Sequence, residues 1–278
     1  MPIKRAIGWV LFWNLIAGIS TFILYKYSNS EKAIEFITCY IIEWTLSIDN
    51  LFVFLLIFKT FDVEPPLQIR VLKWGIIGAI VMRLSFILMG VTLVKAFQSI
   101  LYFFGALLIY SAIKMVIEKD KAINIKDNPL IRLARKRFSI TKRFHGDHFF
   151  IRKRGVLIAT PMLLVLITIE SSDIIFAVDS IPAAFSITQD PMLIFAANFL
   201  AILGLRALYF LLAHADNLFS KLKYGVAIIL AFVGVKIILE QLHISIGMAI
   251  SLAVIIGCLG GSVLLSILTK NTSASENN

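Results

Sequence analysis

The chain has 278 residues, of which 59% are hydrophobic and only 16% are charged. Soluble globular domains contain about 45–50% apolar and roughly 25% charged residues, so this composition argues against a soluble enzyme, a disordered protein or a nucleic-acid-binding domain. The net charge is +10, and the basic residues lie between apolar runs, which is typical of the cytoplasmic loops of a membrane protein. We therefore predict an all-α polytopic membrane protein that is not an enzyme and has no nucleic-acid partner.

Eight apolar runs are long enough to cross a bilayer as helices, which takes about 20 residues each. In chain order the predicted spans are 6–25, 34–58, 73–94, 97–117, 161–186, 192–213, 223–240 and 245–269. Lys4 and Arg5 precede the first run, and no small-residue cleavage site follows Tyr25, so we expect a retained span rather than a cleaved signal peptide. The whole chain, 1–278, is expected to form one transmembrane domain.

The long segment 119–160 interrupts the spans and contains more Lys and Arg than any other loop. Such a segment is expected on the cytoplasmic side, where attraction to anionic lipids also accounts for its charge. With four spans on each side of it, both termini are predicted to be cytoplasmic and the protein to lie in a bacterial inner membrane. Thr160 and Pro161 predict an N-cap and the first residue of the next helix.

Polar residues recur in the same order in two sets of three spans, at offsets of 122 to 130 residues. The aligned pairs are Glu43 with Asp173, Asp49 with Asp179, Asn50 with Ser180, Arg83 with Arg206, and Lys114 with Lys236. Because each unit has an odd number of helices, the second copy (161–240) is predicted to cross the membrane inverted relative to the first (34–118). Inverted repeats are typical of transporters that bind their substrate near the bilayer midplane.

Five carboxylates fall inside the predicted spans, namely those of Glu43, Asp49, Glu170, Asp173 and Asp179. Each charge at the bilayer centre costs about 2.5–3.5 kcal/mol on insertion, so five unpaired acids would cost roughly 12–18 kcal/mol. Arg83 and Arg206 lie equally deep, whereas Lys114 and Lys236 are expected to snorkel towards the span ends. The excess of negative charge predicts bound cations or protons. The alternative is that the acids form structural ion pairs with the two arginines.

Helical geometry groups some of these acids and separates others. Asp173 shares a helix face with Ser180, seven residues later, and with Glu170, three residues earlier. Asp179 would point elsewhere on a straight helix. Pro182 cannot donate to the carbonyl four residues before it, so we expect the helix to be broken beside Asp179, as in the ion sites of transporters.

The predicted ligands are all oxygen atoms, because Asn50, Ser180 and Asn198 add neutral oxygens to the carboxylates. Hard oxygen donors suit Mg²⁺, Ca²⁺ or Mn²⁺, and the sequence pattern does not choose among these ions. All four histidines fall in loops or at span ends and are not expected to join the site. No permanently bound cofactor is expected.

Two long acidic segments, 43–54 (EWTLSIDNLFVF) and 170–182 (ESSDIIFAVDSIP), carry a family resemblance. Together with 78–83 and 201–210, they make the chain resemble the TerC family of membrane proteins over about residues 35–240. The family is named for tellurite resistance, and the resemblance implies export of Mn²⁺, in some members Ca²⁺, within the LysE-like transporter superfamily. The implied site consists of Glu43, Asp49, Asn50, Asp173 and Asp179, with Glu170 and Asn198 close and Ser180, Arg83 and Arg206 in support.

Two functions therefore remain open. The first is export of a divalent cation by rocking of the two repeats, coupled to protons because the sequence contains no nucleotide-binding motif. The alternative is a membrane scaffold or chaperone-like protein linked to tellurite or envelope stress resistance, whose partners would be envelope or secretion proteins. A LysE-type amino-acid exporter would require fewer carboxylates and a cationic pocket.

Overall fold

The computed structural model describes residues 3–117, 129–141, 143–153, 155–212 and 222–275. The elements in chain order are α1 (Ile3–Tyr27), α2 (Ser30–Thr60), α3 (Pro65–Ala96), α4 (Ile100–Ile117), α5 (Pro129–Arg137), β1 (Phe150–Lys153), β2 (Val156–Ala159), α6 (Pro161–Phe185), α7 (Pro191–Leu212), α8 (Leu222–Gln241) and α9 (Met248–Ser275). Within the described ranges, all the helices except α5 are long and apolar enough to cross a membrane, eight in total. The predicted all-α polytopic fold is confirmed, and the eight spans fall where the apolar runs placed them.

Local capping residues explain where several spans begin. The side chain of Asn29 accepts a hydrogen bond from the Lys32 amide at 2.7 Å and so caps α2. Asp190 accepts one from the Met192 amide at 3.0 Å, directly before the proline that opens α7. The Asn29 cap lies in polar sequence, so α2 begins four residues before the apolar run at 34–58. Helix α3 also begins early, eight residues before the run at 73–94.

Helix α6 is continuous from Pro161 to Phe185 and passes through Pro182 without a break. The predicted break beside Asp179 is therefore wrong. The proline lies close to the end of the helix, where few backbone bonds depend on it. The Ser186 amide closes the last turn by donating to the carbonyls of Pro182 and Ala183, at 3.1 and 3.3 Å.

The basic segment predicted only as a loop has secondary structure of its own. The short helix α5 is followed by an antiparallel hairpin, β1–β2, in which Phe150 pairs with Ala159. Gly155, in the turn, has a φ of +79°, which favours glycine. Pro161 begins α6 as predicted. The Thr160 hydroxyl, however, donates to the His148 carbonyl at 2.6 Å and so ties the helix start to the preceding loop instead of capping the helix.

The chain divides into two compact units, and each combines parts of both predicted repeats. The first unit comprises Met1–Asp49, Arg83–Lys119 and Ala177–Asn278. Its most extensive packing joins α4 to α8, with further packing of α1 on α7 and of α8 on α9. Gly105 of α4 and Gly234 of α8 face each other so closely that an added Cβ at either would lie within 2.8 Å of the other's carbonyl oxygen. Glycine at both positions therefore lets the two backbones touch.

The second unit comprises Asn50–Met82 and Asp120–Phe176. Here Ile131 of α5 and Leu164 of α6 form a small buried cluster with Phe61, Ile140 and Ile167 packed around it. The amphipathic helix α5 is thereby attached to the beginning of a membrane span. The inverted repeat itself stays a prediction.

Candidate cation site

Three polar side chains from three different helices meet around Arg83 of α3 in the first unit. The Nη1 atom of Arg83, on α3, lies 2.5 Å from Oε2 of Glu43 on α2. The same nitrogen is 3.1 Å from Oδ1 of Asn198 on α7 and 3.3 Å from Oγ of Ser180 on α6. None of the four residues is more than 2% exposed. The cluster is a buried ion pair extended by two neutral oxygens.

Glu43 thus forms an ion pair with Arg83, which is the structural alternative that the sequence left open. Its second carboxylate oxygen, Oε1, has no hydrogen-bond partner among the described residues, and neither does Nδ2 of Asn198. Buried polar atoms without partners cost about 1–3 kcal/mol each, so such atoms call for an explanation. An oxygen of this kind fits a proton or a cation as an additional partner.

A second polar contact of the first unit involves Asp179. Its Oδ1 atom accepts a hydrogen bond of 2.6 Å from the hydroxyl of Ser111 on α4. Ser111 carries no charge and was therefore not among the predicted site residues; it lies three positions before Lys114, which the repeat had marked. Asp179 is half-buried; the hydrogen bond from the neutral Ser111 orients its carboxylate, and the positive charge of Lys114 also acts on it.

In the second unit, Glu170 and Asp173 lie one helical turn apart on α6. Asp173 is 6% exposed, and Glu170 is half-buried. No basic side chain in the described part of the chain forms an ion pair with Glu170. The carboxylate rests on the backbone of α3 at Gly78, where an added Cβ would overlap both of its oxygens. Two carboxyl groups are thus held side by side within an apolar span.

Of the remaining predicted site residues, the structure describes the side chain of Asn50 but not those of Asp49 and Arg206. Asn50 is buried in the second unit, and its Nδ2 has no hydrogen-bond partner among the described residues. The side chains of Asp49 and Arg206 lie outside the described residues, so their roles stay predictions. Across the described side chains, no three His, Cys, Asp or Glu residues form a group able to hold a metal ion. Any cation held by the described groups would therefore have to be shared by one or two carboxylates with amide, hydroxyl or water oxygens.

Lys236 of α8 does not snorkel, contrary to the sequence prediction. It is only 1% exposed, and its Nζ donates to the carbonyl of Ser186 at 2.9 Å, just after the end of α6. Glu240, one turn later on α8, provides a carboxylate oxygen 3.5 Å from the same nitrogen. Lysine at the C-terminal end of a helix satisfies a carbonyl that the helix leaves free and interacts favourably with its dipole. By contrast, Lys114 is exposed as expected.

Comparison with known proteins identifies the family of the chain. Residues 28–274 match the family model described as "Integral membrane protein TerC family". The chain is 44% identical over 268 residues to a protein of Escherichia coli strain K12 named "Putative membrane-bound redox modulator Alx", covering 93% of this chain and 83% of that protein. It is 40% identical over 243 residues to "Thylakoid membrane protein TERC, chloroplastic" of Arabidopsis thaliana, covering 87% of this chain and 63% of that protein. No solved structure matches significantly. The chain therefore belongs to the TerC family of integral membrane proteins.

Proposed function

We propose that the protein is a transporter that exports divalent metal cations from the cytoplasm, with Mn²⁺ as its main substrate and protons as the counter-ion. The observation that carries the proposal is the pair Glu170 and Asp173 on α6. Two neighbouring carboxylates in an apolar span are costly unless cations or protons neutralise them. Glu170 has no ion-pair partner among the described side chains, so we infer that a mobile cation supplies the positive charge that neutralises its carboxylate.

The chemistry of the donors supports a hard divalent ion. Glu170 and Asp173, one turn apart on α6, supply carboxylate oxygens. Mn²⁺, Mg²⁺ and Ca²⁺ prefer such ligands, whereas softer ions prefer thiolates. We choose Mn²⁺ over Ca²⁺ on the family resemblance alone, so the transport assay has to compare the two ions.

The charges also suggest a coupling ratio. A divalent cation leaving an inside-negative cell works against about 4.6 kcal/mol per 100 mV, twice the value for a single charge. Two protons entering for each cation would cancel this term. One divalent cation and two protons carry the same charge, so a site that exchanges one for the other keeps its net charge. We therefore expect electroneutral exchange, driven by a pH gradient and insensitive to an imposed potential.

The test is transport by the purified full-length protein in liposomes that contain a manganese-sensitive dye. We expect uptake of Mn²⁺ into vesicles with an acidic interior, little change when a potassium diffusion potential is imposed with valinomycin, and loss of uptake when nigericin removes the pH gradient. Asp173→Asn should abolish uptake because it removes half of the paired charge. Glu64→Gln is the matched control, since Glu64 is an exposed acid between α2 and α3.

The results separate transport from the alternative of a membrane scaffold. Undiminished uptake by a folded Asp173→Asn protein would contradict the proposed site. If the wild-type protein shows no metal-dependent flux with either Mn²⁺ or Ca²⁺ but retains envelope proteins in a pull-down, the scaffold is the correct interpretation. The relatives named as redox modulators do not distinguish these outcomes by their name, so flux is the deciding measurement.

A further inference from the structure

A cavity of about 550 Å³ lies in the second unit, and its lining includes none of the acids of α6. Its apolar wall includes the rings of Phe61, Phe138 and Phe144, and its polar lining comes from Thr60, Ser139 and Thr141. This volume falls within the range of pockets that bind small ligands, about 300–1,000 Å³. The mixture of rings and hydroxyls suits a ligand that is apolar at one end and polar at the other.

The elements around the cavity place it at a surface of the bilayer. Thr60 is the last residue of α2, and Pro161, which also lines the cavity, is the first residue of α6. Both helices are membrane spans, so their ends mark the boundary between apolar and polar phases. The hairpin strand β2 ends at Ala159, two residues before α6, and is thereby held close to the same boundary.

The segment that forms the cavity's outer wall is strongly basic. Residues 129–159 contain nine Lys and Arg residues and a single acid, Asp147. That acid is already paired with Arg70, at 2.6 Å. Arg137 and Arg143 are exposed and directly adjoin two of the cavity's phenylalanines in sequence. Among the described side chains, no Lys or Arg of the segment forms an ion pair, so their positive charge is left for an anionic partner.

Exposed apolar residues lie on the same segment. Leu133 of α5 is 62% exposed, and Val156 and Leu157 of the hairpin are 60% and 50% exposed. A short helix with a basic face and exposed leucine, held at a span end, is typical of segments that lie in the lipid headgroup region. The combination favours a lipid over a nucleic acid, because base recognition does not explain an apolar cavity at the bilayer surface.

We propose that this cavity binds one anionic phospholipid of the adjacent leaflet. The apolar part of the lipid enters between the phenylalanine rings, and its phosphate contacts Arg137 and Arg143 at the rim. The site goes beyond the proposed transport function and does not depend on it. Bound in this way, the lipid would fix α5 and the hairpin against the ends of α2 and α6.

The experiment measures the lipid that stays bound to the full-length protein. The protein is incubated in detergent with equal amounts of phosphatidylglycerol and phosphatidylcholine, and bound lipid is counted by native mass spectrometry. We expect one retained phosphatidylglycerol. Each basic residue near an anionic lipid surface contributes about fivefold in affinity, so Arg137→Gln with Arg143→Gln should weaken retention about thirtyfold. The control Lys26→Gln with Lys95→Gln removes the same charge from exposed positions on α1 and α3.

A second pair of variants tests the cavity itself. Ser139→Trp should exclude the lipid by filling the space without a change of charge, whereas Ser139→Ala should retain it. Competition with inorganic phosphate distinguishes a lipid site from a simple anion site, because phosphate lacks the apolar part and should not displace the lipid. Equal retention by Ser139→Trp, full displacement by phosphate, or no preference between the two headgroups would overturn the proposal. So would a dimer that forms through this face and excludes lipid.

Discussion

Replacing Gly78 by alanine would change the position of one carboxylate while leaving every charge in place. A methyl group at residue 78 would overlap both oxygens of Glu170. At Gly75, one turn earlier, the added methyl would meet only Cγ2 of Ile169 at 3.4 Å and Oε1 of Glu170 at 4.0 Å, which are ordinary contacts. Gly75→Ala is therefore a matched control on the same helix.

The expected magnitudes follow from two opposing effects. Alanine is favoured over glycine within a helix by about 1 kcal/mol, whereas overpacking costs roughly 1–3 kcal/mol. Gly75→Ala should leave stability unchanged or raise it by up to about 1 kcal/mol. Gly78→Ala should lower it by no more than about 2 kcal/mol, so the protein should still fold. Its Mn²⁺ flux should nevertheless fall at least about tenfold, since misplacing a ligand by an ångström can cost 1.4 kcal/mol or more.

Shortening the side chain of residue 170 tests whether the added methyl group displaces the carboxylate. Aspartate is one methylene shorter than glutamate, so Glu170→Asp withdraws the carboxylate from the new methyl group. The double variant Gly78→Ala with Glu170→Asp should then transport Mn²⁺ better than Gly78→Ala alone in the liposome assay. If Gly78→Ala transports like the wild type, or if the double variant shows no recovery although Glu170→Asp alone is active, the carboxylate is not positioned by this contact.

Two further predictions concern the buried basic side chains of Arg83 and Lys236. Arg83→Met leaves the Glu43 carboxylate buried without its partner and should cost about 3–5 kcal/mol, measured as a loss of thermal stability in detergent. Adding Glu43→Gln should restore part of that loss, and a double variant no more stable than Arg83→Met would argue against the pair. Lys236→Met removes the donor to the Ser186 carbonyl and should cost about 1.5–3 kcal/mol, whereas Lys114→Met, at an exposed position, should change stability by less than about 0.5 kcal/mol. Equal effects of the two lysine substitutions would contradict the buried contact.

The spans could be predicted from sequence because hydropathy depends only on composition within a window of about 20 residues. The positions of helix ends and of short elements do not follow from such a window average. The first eight residues of α3 are too polar to register as part of a span, and the strands of the hairpin have four residues each. Such short strands form because the chain turns back on itself at Gly155, and the hydrogen bond from Thr160 to the His148 carbonyl ties the hairpin to the start of α6.

The site was predictable in its residue types but not in its pairings. A charge in an apolar run is visible in the sequence, so Glu43, Arg83 and Asp179 stood out. Which groups meet depends on how helices cross, and spans that are apolar all round give no periodicity from which to derive a face. The bond from Ser111 to Asp179 and the burial of Lys236 therefore appear only in the structure.

These pairings divide the membrane charges into two kinds. Glu43 faces Arg83, and Lys236 faces Glu240, so the two charges within each pair offset one another. The acids of α6 differ, because Glu170 has no ion-pair partner among the described side chains and Asp179 is held by a hydroxyl. Under the proposed transport function, such pairs would keep the helices together while the acids of α6 exchange the cation for protons. Groups that bind and release a cation must instead be stable both with and without it, and oriented carboxylates that can exchange metal for protons meet that requirement.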